Sequence, residues 1–181
     1  MEEQKARIFV GIDNGVSGTI GVIVIYPQTE KKVYYYNMPI KSCLNYQKTK
    51  VKHITRIDTM TLSDIFKNLL ECGTIEKVLI ERPMVNPQRF DATTSALRAL
   101  EATLVVLELF GIAYDYLDSK QWQSIMLPHI SVQDKKDYPS KLKQVSKEVG
   151  MRLFPNLNWD DFKDADGLLI AEYCKRKEIG I

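Results

Sequence analysis

The sequence is poor in the residues that build disulfide frameworks and zinc sites. It has three cysteines and two histidines among 181 residues, and no two cysteines have CxxC spacing. An odd number of scattered cysteines disfavours a disulfide-stapled secreted domain, and the distant histidines disfavour a zinc site. We therefore expect a protein of a reducing compartment, with a cytoplasmic location.

Long apolar runs and a strong net charge are also missing. No stretch approaches the roughly 18 apolar residues of a membrane span, and the first residues, MEEQKAR, lack the basic start and apolar run of a secretory signal. Because 25 basic and 23 acidic side chains leave a net charge of +2, only local patches can mark a polyanion-binding surface. With 45% hydrophobic residues, we expect a single domain over residues 1–181 and no membrane partner.

The order of strand-like and helix-like segments predicts an α/β fold. Strand composition is found at 7–13, 18–26, 32–38, 75–81 and 112–118. Helical patterns are found at 62–72, 94–110, 119–126 and about 161–177. The first three strands follow one another through short turns, so we expect them to be antiparallel in a five-stranded mixed sheet flanked by helices.

Local signals refine this expectation. Alternation in the third strand places Val33 and Tyr35 on one face and Tyr34 and Tyr36 on the other. Thr61 to Asp64 has the spacing of a variant capping box for the first helix, which Gly73 would end, and Gly111 would end the second. The polar segment 41–56 is predicted to be a loop with a basic face.

Carboxylates stand at the ends of the predicted elements. Asp13 ends the first strand, Glu81 ends the fourth, and Asp164 and Asp166 lie where the last helix begins. If strands one and four are neighbours, these acids converge, and their repulsion is relieved mainly by hard divalent cations. Oxygen ligands without histidine or cysteine favour Mg²⁺, with Mn²⁺ as a substitute. Two such ions would support phosphodiester hydrolysis.

Four motifs, in this order, resemble the RuvC-type Holliday junction resolvases of the ribonuclease H-like superfamily, particularly their virus-encoded branch. They are GIDNGVSGTIGVIV, VLIERP, SALRALEATL and DADGLLIAEYC, with a lysine-rich stretch ending in RLFP before the last. The resemblance spans nearly the whole chain. It implies a ribonuclease H-like fold and a homodimeric, Mg²⁺-dependent endonuclease, with two ions per active site, that resolves four-way DNA junctions. A viral source would place the protein in the cytoplasm of an infected host cell.

The same resemblance suggests roles for the acids. Asp13 is similar to the family's first-strand aspartate, Glu81 to its fourth-strand glutamate and Asp166 to its final-helix aspartate. The family usually has a further ligand three residues before the last aspartate, where this chain has Lys163. Asp164 is the preferred substitute, provided that the helix starts near it, and Asp161 is the alternative.

Two basic stretches, 41–56 and 134–152, are candidates for contacts with DNA phosphates, although ordinary solvated surface also explains them. The candidate cations are Lys48, Lys50, Lys52, Lys135, Lys136, Lys141 and Lys143. In the loop after the fourth strand, Met84, Arg89 and Phe90 could form a wedge at an opened junction, with core packing as the alternative. Trp122 is expected to be structural and is not assigned to the site.

Each signal also has a plainer explanation. The sequence Asp13-Asn14-Gly15 is common in hairpin turns, and acids are common at helix starts. The alternatives in function are another nuclease of the same fold, acting on RNA/DNA hybrids or branched DNA, and a catalytically silent DNA-binding relative. Sugar kinases and chaperone ATPases also begin with a Gly-Ile-Asp strand, but they pair two such domains. The chain is too short for that and has no GxxxxGK[ST] loop, so we expect no small-molecule cofactor.

The helix predicted at 94–110 is apolar on most of its circumference. One side would lie on the sheet, and another could contact a second copy in a twofold dimer. Coverage by later helices of the same chain is the alternative.

Overall fold

The protein is described by a computed structural model that covers residues 5–27, 30–46, 52–128 and 137–180. Four of the predicted DNA-contacting lysines, Lys48, Lys50, Lys135 and Lys136, lie outside these residues. The strands are β1 (Ala6–Asp13), β2 (Thr19–Ile25), β3 (Lys31–Asn37), β4 (Ile40–Leu44), β5 (His53–Ile57), β6 (Gly73–Glu81) and β7 (Tyr114–Leu117). The helices are α1 (Thr59–Cys72), α2 (Phe90–Leu109), α3 (Ser119–Met126), α4 (Tyr138–Leu153) and α5 (Asp166–Ile179).

Five strands form one mixed sheet in the order β3-β2-β1-β6-β7. The first three are antiparallel neighbours, whereas β6 runs parallel to β1 and β7 runs parallel to β6. This confirms the predicted fold class. Because β1 and β6 are parallel, their carboxyl ends meet at one edge of the sheet, which is where ligands bind in open α/β sheets.

The sheet separates two apolar cores. Phe9 of β1 and Tyr35 of β3 face α3, α4 and α5, whereas Ile8 and Val10 of β1 face α1 and α2. The predicted division of β3 is also found, with Val33 beside Tyr35 and with Tyr34 and Tyr36 on the other side. Period-2 alternation of apolar side chains therefore specifies both faces.

The last helix lies unusually close to the sheet because two glycines face each other across β1 and β2. Gly11 and Gly21 are cross-strand partners. A Cβ on Gly11 would lie 2.2 Å from the backbone nitrogen of Ala171, and a Cβ on Gly21 would lie 2.2 Å from the Cα of Leu168. This bare patch allows α5 to rest its backbone on the strands, which brings the start of α5 to the end of β1.

The sequence predicts that segment 41–56 is a loop, and this prediction is wrong. Strands β4 and β5 pair as an antiparallel hairpin outside the main sheet. Apart from the buried Ile57, the hairpin residues are exposed or only partly buried. A ribbon with no strongly buried face needs no hydrophobic alternation, so the pattern that reveals core strands is missing.

Three helix starts were also predicted wrongly, and the second helix begins at Phe90 rather than at 94. The first helix begins at Thr59, where the Asp58 side chain accepts a hydrogen bond from the backbone nitrogen of Met60, so the Thr61 capping box is not the start. The last helix begins at Asp166 rather than near 161. The four acids at 160–166 indicate that a helix start is near, but the residues before Asp166 are not helical.

Candidate active site

Three carboxylates converge at the carboxyl edge of the sheet. Asp13 ends β1, Asp166 opens α5, and Asp164 lies two residues before α5. Each offers a carboxylate oxygen, and these oxygens all lie within 4.8 Å of one another. Asp164 is 2% exposed, and Asp13 and Asp166 are partly buried, so solvent screens the repulsion among the three groups less than it would at an open surface.

Glu81 lies at the same edge but outside this group of three. It ends β6 one residue beyond the Ile80 that pairs with Ile12 of β1, so it stands beside Asp13 on the neighbouring strand. Its Oε2 accepts a hydrogen bond of 2.7 Å from Nε1 of Trp122. The indole is completely buried in α3 and fixes the carboxylate against the end of β7 and α3.

The segment before α5 is held against the sheet by β3. The Tyr35 ring packs on Phe162 with centroids 4.3 Å apart, and its hydroxyl donates to the backbone oxygen of Asp164 at 3.0 Å. Thr19 Oγ1 lies 3.0 Å from the same hydroxyl and accepts from the backbone nitrogen of Gly167 at 3.1 Å. These contacts fix the backbone on both sides of Asp166.

Helix α4 provides a second support through one face. Lys143 donates to Oδ2 of Asp164 at 2.7 Å, and Lys147 donates to the backbone oxygen of Phe162 at 2.7 Å. Ser146 lies between them on that face and donates to Oδ1 of Asp166. Residues three and four apart share a helix face, so α4 contacts the acidic segment at three successive points.

The pKa values of three of these acids are raised because the acids are buried close together. Burial, followed by the negative charges of Asp166, Glu81 and Asp164, raises the pKa of Asp13 well above its usual range. Burial and the charge of Asp164 raise the pKa of Asp166 to about 7, although the hydrogen bond from Ser146 opposes this shift. Burial also raises the pKa of Glu81, against the hydrogen bond from Trp122.

This donor set fits hard divalent cations. All its ligand atoms are carboxylate oxygens, which Mg²⁺ and Mn²⁺ prefer, and the acids are held close at the cost of raised pKa values. Lys143 supplies a positive charge at Asp164, where the hydrogen bond and the charge of that carboxylate raise the lysine pKa despite the opposing effect of burial. One ammonium leaves the cluster with excess negative charge, which is what a metal centre requires.

The two candidates for the fourth acid lie in different surroundings. Asp164 is buried within the cluster, whereas Asp161 is exposed and contributes its backbone oxygen to the Asn37 side chain at 3.3 Å. The helix starts at Asp166, two residues after Asp164, as the choice of Asp164 required. Lys163, at the family's usual ligand position, is exposed.

The described DNA-contact candidates all lie on the surface, although one of them also contacts the acids. Lys52, Lys141 and Lys143 are exposed, and Nζ of Lys143 lies 2.7 Å from Asp164. Met84, in the loop between β6 and α2, is 82% exposed, and Phe90, which is the first residue of α2 rather than a loop residue, is 66% exposed. Core packing therefore does not explain the Met84 and Phe90 side chains, and the neighbouring Arg89 is exposed as well.

Sequence reasoning missed the groups that orient the acids. The sequence predicts a structural role for Trp122 and gives no role to Ser146. A buried indole N–H needs an acceptor, and this requirement was the one available signal for Trp122. Nothing in the local sequence identifies Ser146, because its contact with Asp166 depends on how α4 packs against α5.

Solved structures of RuvC are similar over almost the whole chain. Thermus thermophilus RuvC has a TM-score of 0.58 at 13% identity, with 96% of each chain covered. T. thermophilus RuvC in complex with a Holliday junction substrate has a TM-score of 0.56 at 14% identity, again with 96% of each chain covered. The chain has the RuvC fold.

A third structure with similarity to this RuvC fold is the yeast mitochondrial Holliday junction resolvase Ydc2. It has a TM-score of 0.47 at 15% identity, covering 94% of this chain and 78% of the other. No protein-family model matches the chain, and no curated protein sequence matches it. Within its described residues, the RuvC fold of this chain contains no helix that is long and apolar enough to cross a membrane.

Proposed function

We propose that the chain is a Mg²⁺-dependent, structure-selective endodeoxyribonuclease that resolves four-way DNA junctions by paired, symmetric cuts. The observation that carries this proposal is the convergence of Asp13, Asp164 and Asp166, with oxygens within 4.8 Å, at the carboxyl edge of a RuvC fold. A virus-encoded origin is part of the proposal and rests on the sequence resemblance.

In this proposal, Asp13, Asp164, Asp166 and Glu81 hold two Mg²⁺ ions, for which Mn²⁺ can substitute. Two divalent ions bound by such oxygens supply an activated water and stabilise the leaving oxygen of a phosphodiester. The rigid supports of the acids suit this role, because ligand orientation depends on the groups behind the ligands. Trp122 orients Glu81, and Ser146 orients Asp166.

Lys143 serves the site differently from a surface phosphate contact. Its Nζ lies 2.7 Å from Oδ2 of Asp164, so it limits the repulsion among the carboxylates while the site is assembled. A lysine beside the acids also offers a positive charge to a DNA phosphate that approaches them. The exposed Lys52 and Lys141 would contact phosphates farther from the cut, together with the lysines outside the described residues.

The loop after Glu81 supplies groups for recognising an opened junction. Met84 is exposed three residues beyond β6 and Phe90 is exposed at the start of α2, so both can stack on or wedge between unpaired bases. Arg89 adds a positive charge beside Phe90. This loop would favour junctions over linear duplexes, because only branched DNA offers unstacked bases at the site.

Two symmetric cuts require two sites, so the proposal includes a homodimer. On α2, the outward side chains Leu97, Val105 and Leu109 are 43%, 44% and 77% exposed, which leaves apolar surface for a second copy. Sedimentation of the protein and of Leu97→Glu tests this. We expect a dimer that the glutamate dissociates, and a monomeric parent would contradict dimerisation.

The proposed activity is tested with three labelled substrates: a four-way DNA junction, a matching linear duplex and an RNA/DNA hybrid, each with Mg²⁺ or with chelator. We expect paired, symmetric nicks in the junction and only with metal. If only the hybrid is cut, the protein is a nuclease of this fold that acts on RNA/DNA hybrids and not on junctions. Junction binding without cutting would identify a catalytically silent relative.

A further inference from the structure

The hairpin of β4 and β5 carries positive charge that is only partly paired with acidic side chains. Lys41 and Arg56 are direct cross-strand partners, so two like charges face each other on one side of the ribbon. Like charges in this position destabilise a hairpin. No aspartate or glutamate occurs in the described hairpin residues 40–46 and 52–57, and Asp58, which follows them, forms an ion pair with Lys41 but not with Arg56.

A third cation lies on the same side. The backbone nitrogen of Asn45 donates to the backbone oxygen of Lys52 at 2.8 Å, which extends the ladder beyond β5. Lys52 stands four residues before Arg56, and even spacing along a strand places both side chains on one face. Within the described part of the chain, Lys41 pairs with Asp58 at 3.3 Å, whereas Lys52 and Arg56 have no ion pair or side-chain hydrogen bond.

The hairpin starts and ends at the edge of the sheet that carries the acids. It follows β3, which runs parallel to β1, and the backbone nitrogen of Asp58 donates to Pro39 across its base. Near the far end, Nη1 of Arg98 lies 3.4 Å from the Tyr46 hydroxyl. Arg98 is two residues from Ala96, whose backbone oxygen accepts from Asn14 at 3.1 Å. Helix α2 thus connects the ribbon to the residue that follows Asp13.

We infer that the β4–β5 hairpin holds the phosphate backbone of a DNA duplex arm as that arm leaves the acid cluster. This inference rests on the proposed function and names the element that binds the arm outside the cut. A two-stranded ribbon has the width that the major groove admits, and unpaired cations along one face match a row of phosphates. The like-charge pair then stabilises the complex at the expense of the free protein.

The test compares two variants that remove the same charge from different places. Lys52→Gln/Arg56→Gln removes two cations from the ribbon, and Lys67→Gln/Lys177→Gln removes two exposed cations from α1 and α5. All four side chains are exposed, so both variants should fold, which circular dichroism verifies. Binding to a labelled linear duplex and to a four-way junction is measured by fluorescence anisotropy, without metal, over a series of salt concentrations.

We expect the hairpin variant to bind duplex about tenfold more weakly at moderate salt, with the log–log salt slope reduced by about 2, because each lost phosphate contact removes roughly 0.9 from the slope. The control should stay within about twofold of the parent. With Mg²⁺, the hairpin variant should need about tenfold more protein than the parent to cut half of the junction, because the loss is in DNA binding.

Unchanged binding by the hairpin variant, or equal losses in both variants, would overturn the inference. Junction cutting by the parent would leave the proposed function standing in either case. If the parent binds DNA with the expected effect of the hairpin variant but never cuts, the role of the hairpin in DNA binding stands and the proposed nuclease activity is wrong. If the parent binds neither the duplex nor the junction, both the hairpin inference and the proposed function are wrong.

Discussion

Nε1 of Trp122 donates a 2.7 Å hydrogen bond to Oε2 of Glu81 and is the one described donor to that carboxylate. The two residues are 41 positions apart and meet because β7 pairs with β6 and leads into α3. The bond satisfies the buried indole N–H and lowers the pKa of Glu81, against the larger effect of burial. A structural tryptophan therefore also orients a candidate metal ligand.

Replacing Trp122 with phenylalanine should impair cleavage more than folding. Loss of the hydrogen bond frees the Glu81 carboxylate, and loss of a group that orients a ligand typically reduces metal affinity or activity by about 10- to 100-fold. The pKa of Glu81 should rise further, so the acidic limb of the pH–rate profile should move to higher pH. Junction cleavage across Mg²⁺ concentrations and pH measures both effects.

The matched control is Trp159→Phe, because the indole of Trp159 donates to the backbone oxygen of Phe154 at 3.2 Å rather than to an acid. Both variants should lose similar free energy of unfolding, roughly 1–3 kcal/mol. Equal Mg²⁺ dependence in Trp122→Phe, Trp159→Phe and the parent would refute the orienting role of Trp122.

Gly11→Ala should destabilise the protein by about 3 kcal/mol or more, because its Cβ would meet the backbone of α5, which cannot move without losing its packing. Gly111→Ala is the comparison. Gly111 has φ +64 and open space around its Cβ position, so alanine there should cost only the left-handed backbone penalty of about 1–2 kcal/mol. Urea unfolding gives both values, and similar costs would argue against the close approach of α5.

The metal-free protein should lose stability as the pH rises. The pKa of Asp166 is raised from 3.8 to about 7 in the folded state, so its contribution is present below about pH 4 and disappears as the pH rises through about 7. Since one pKa unit corresponds to about 1.4 kcal/mol, we expect a loss on the order of a few kcal/mol between pH 5 and pH 8. Thermal unfolding with chelator measures it.

Asp166→Asn should remove most of this pH dependence, and Mg²⁺ at pH 8 should restore stability to the parent but much less to the variant. Thermal unfolding with and without Mg²⁺ tests both expectations. Stability that is independent of pH and of Mg²⁺ would contradict a strained carboxylate cluster.

Asp164→Asn and Asp161→Asn separate the two candidates for the fourth acid. Asp164 belongs to the buried cluster and should be required, so we expect cleavage to fall by about 100-fold or more. Asp161 is exposed and uses its backbone oxygen, so its variant should stay within about twofold of the parent. If Asp161→Asn reduces cleavage more than Asp164→Asn does, the fourth ligand is Asp161.

The main sheet could be predicted from the sequence because burial dictates its pattern. In β1, Ile8 and Val10 alternate with Phe9 between two cores, and such strands have strong apolar composition. The hairpin of β4 and β5 could not be found in this way. Leu44 is 77% exposed, and all the charged side chains of the hairpin are positive, so its sequence has the composition of a loop.

The candidate acids were found for a different reason than the groups that support them. Asp13 and Glu81 each end a strand, and the topology of parallel neighbours brings strand ends together whatever the details of packing. Lys143 and Ser146 act through the packing of α4 against the segment before α5. Such contacts depend on tertiary placement, so the sequence suggested a surface role for Lys143 and none for Ser146.

Under the proposed function, the acids at the end of β1 and the start of α5 form a metal-dependent phosphodiesterase centre. Single-turnover cleavage of a labelled four-way junction by the parent and by Asp13→Asn, at saturating protein with Mg²⁺, tests it most directly. We expect symmetric cuts by the parent and a rate about 1,000-fold lower for Asp13→Asn, with junction binding retained. Cleavage by Asp13→Asn at the parent rate, or by the parent in chelator, would contradict the account.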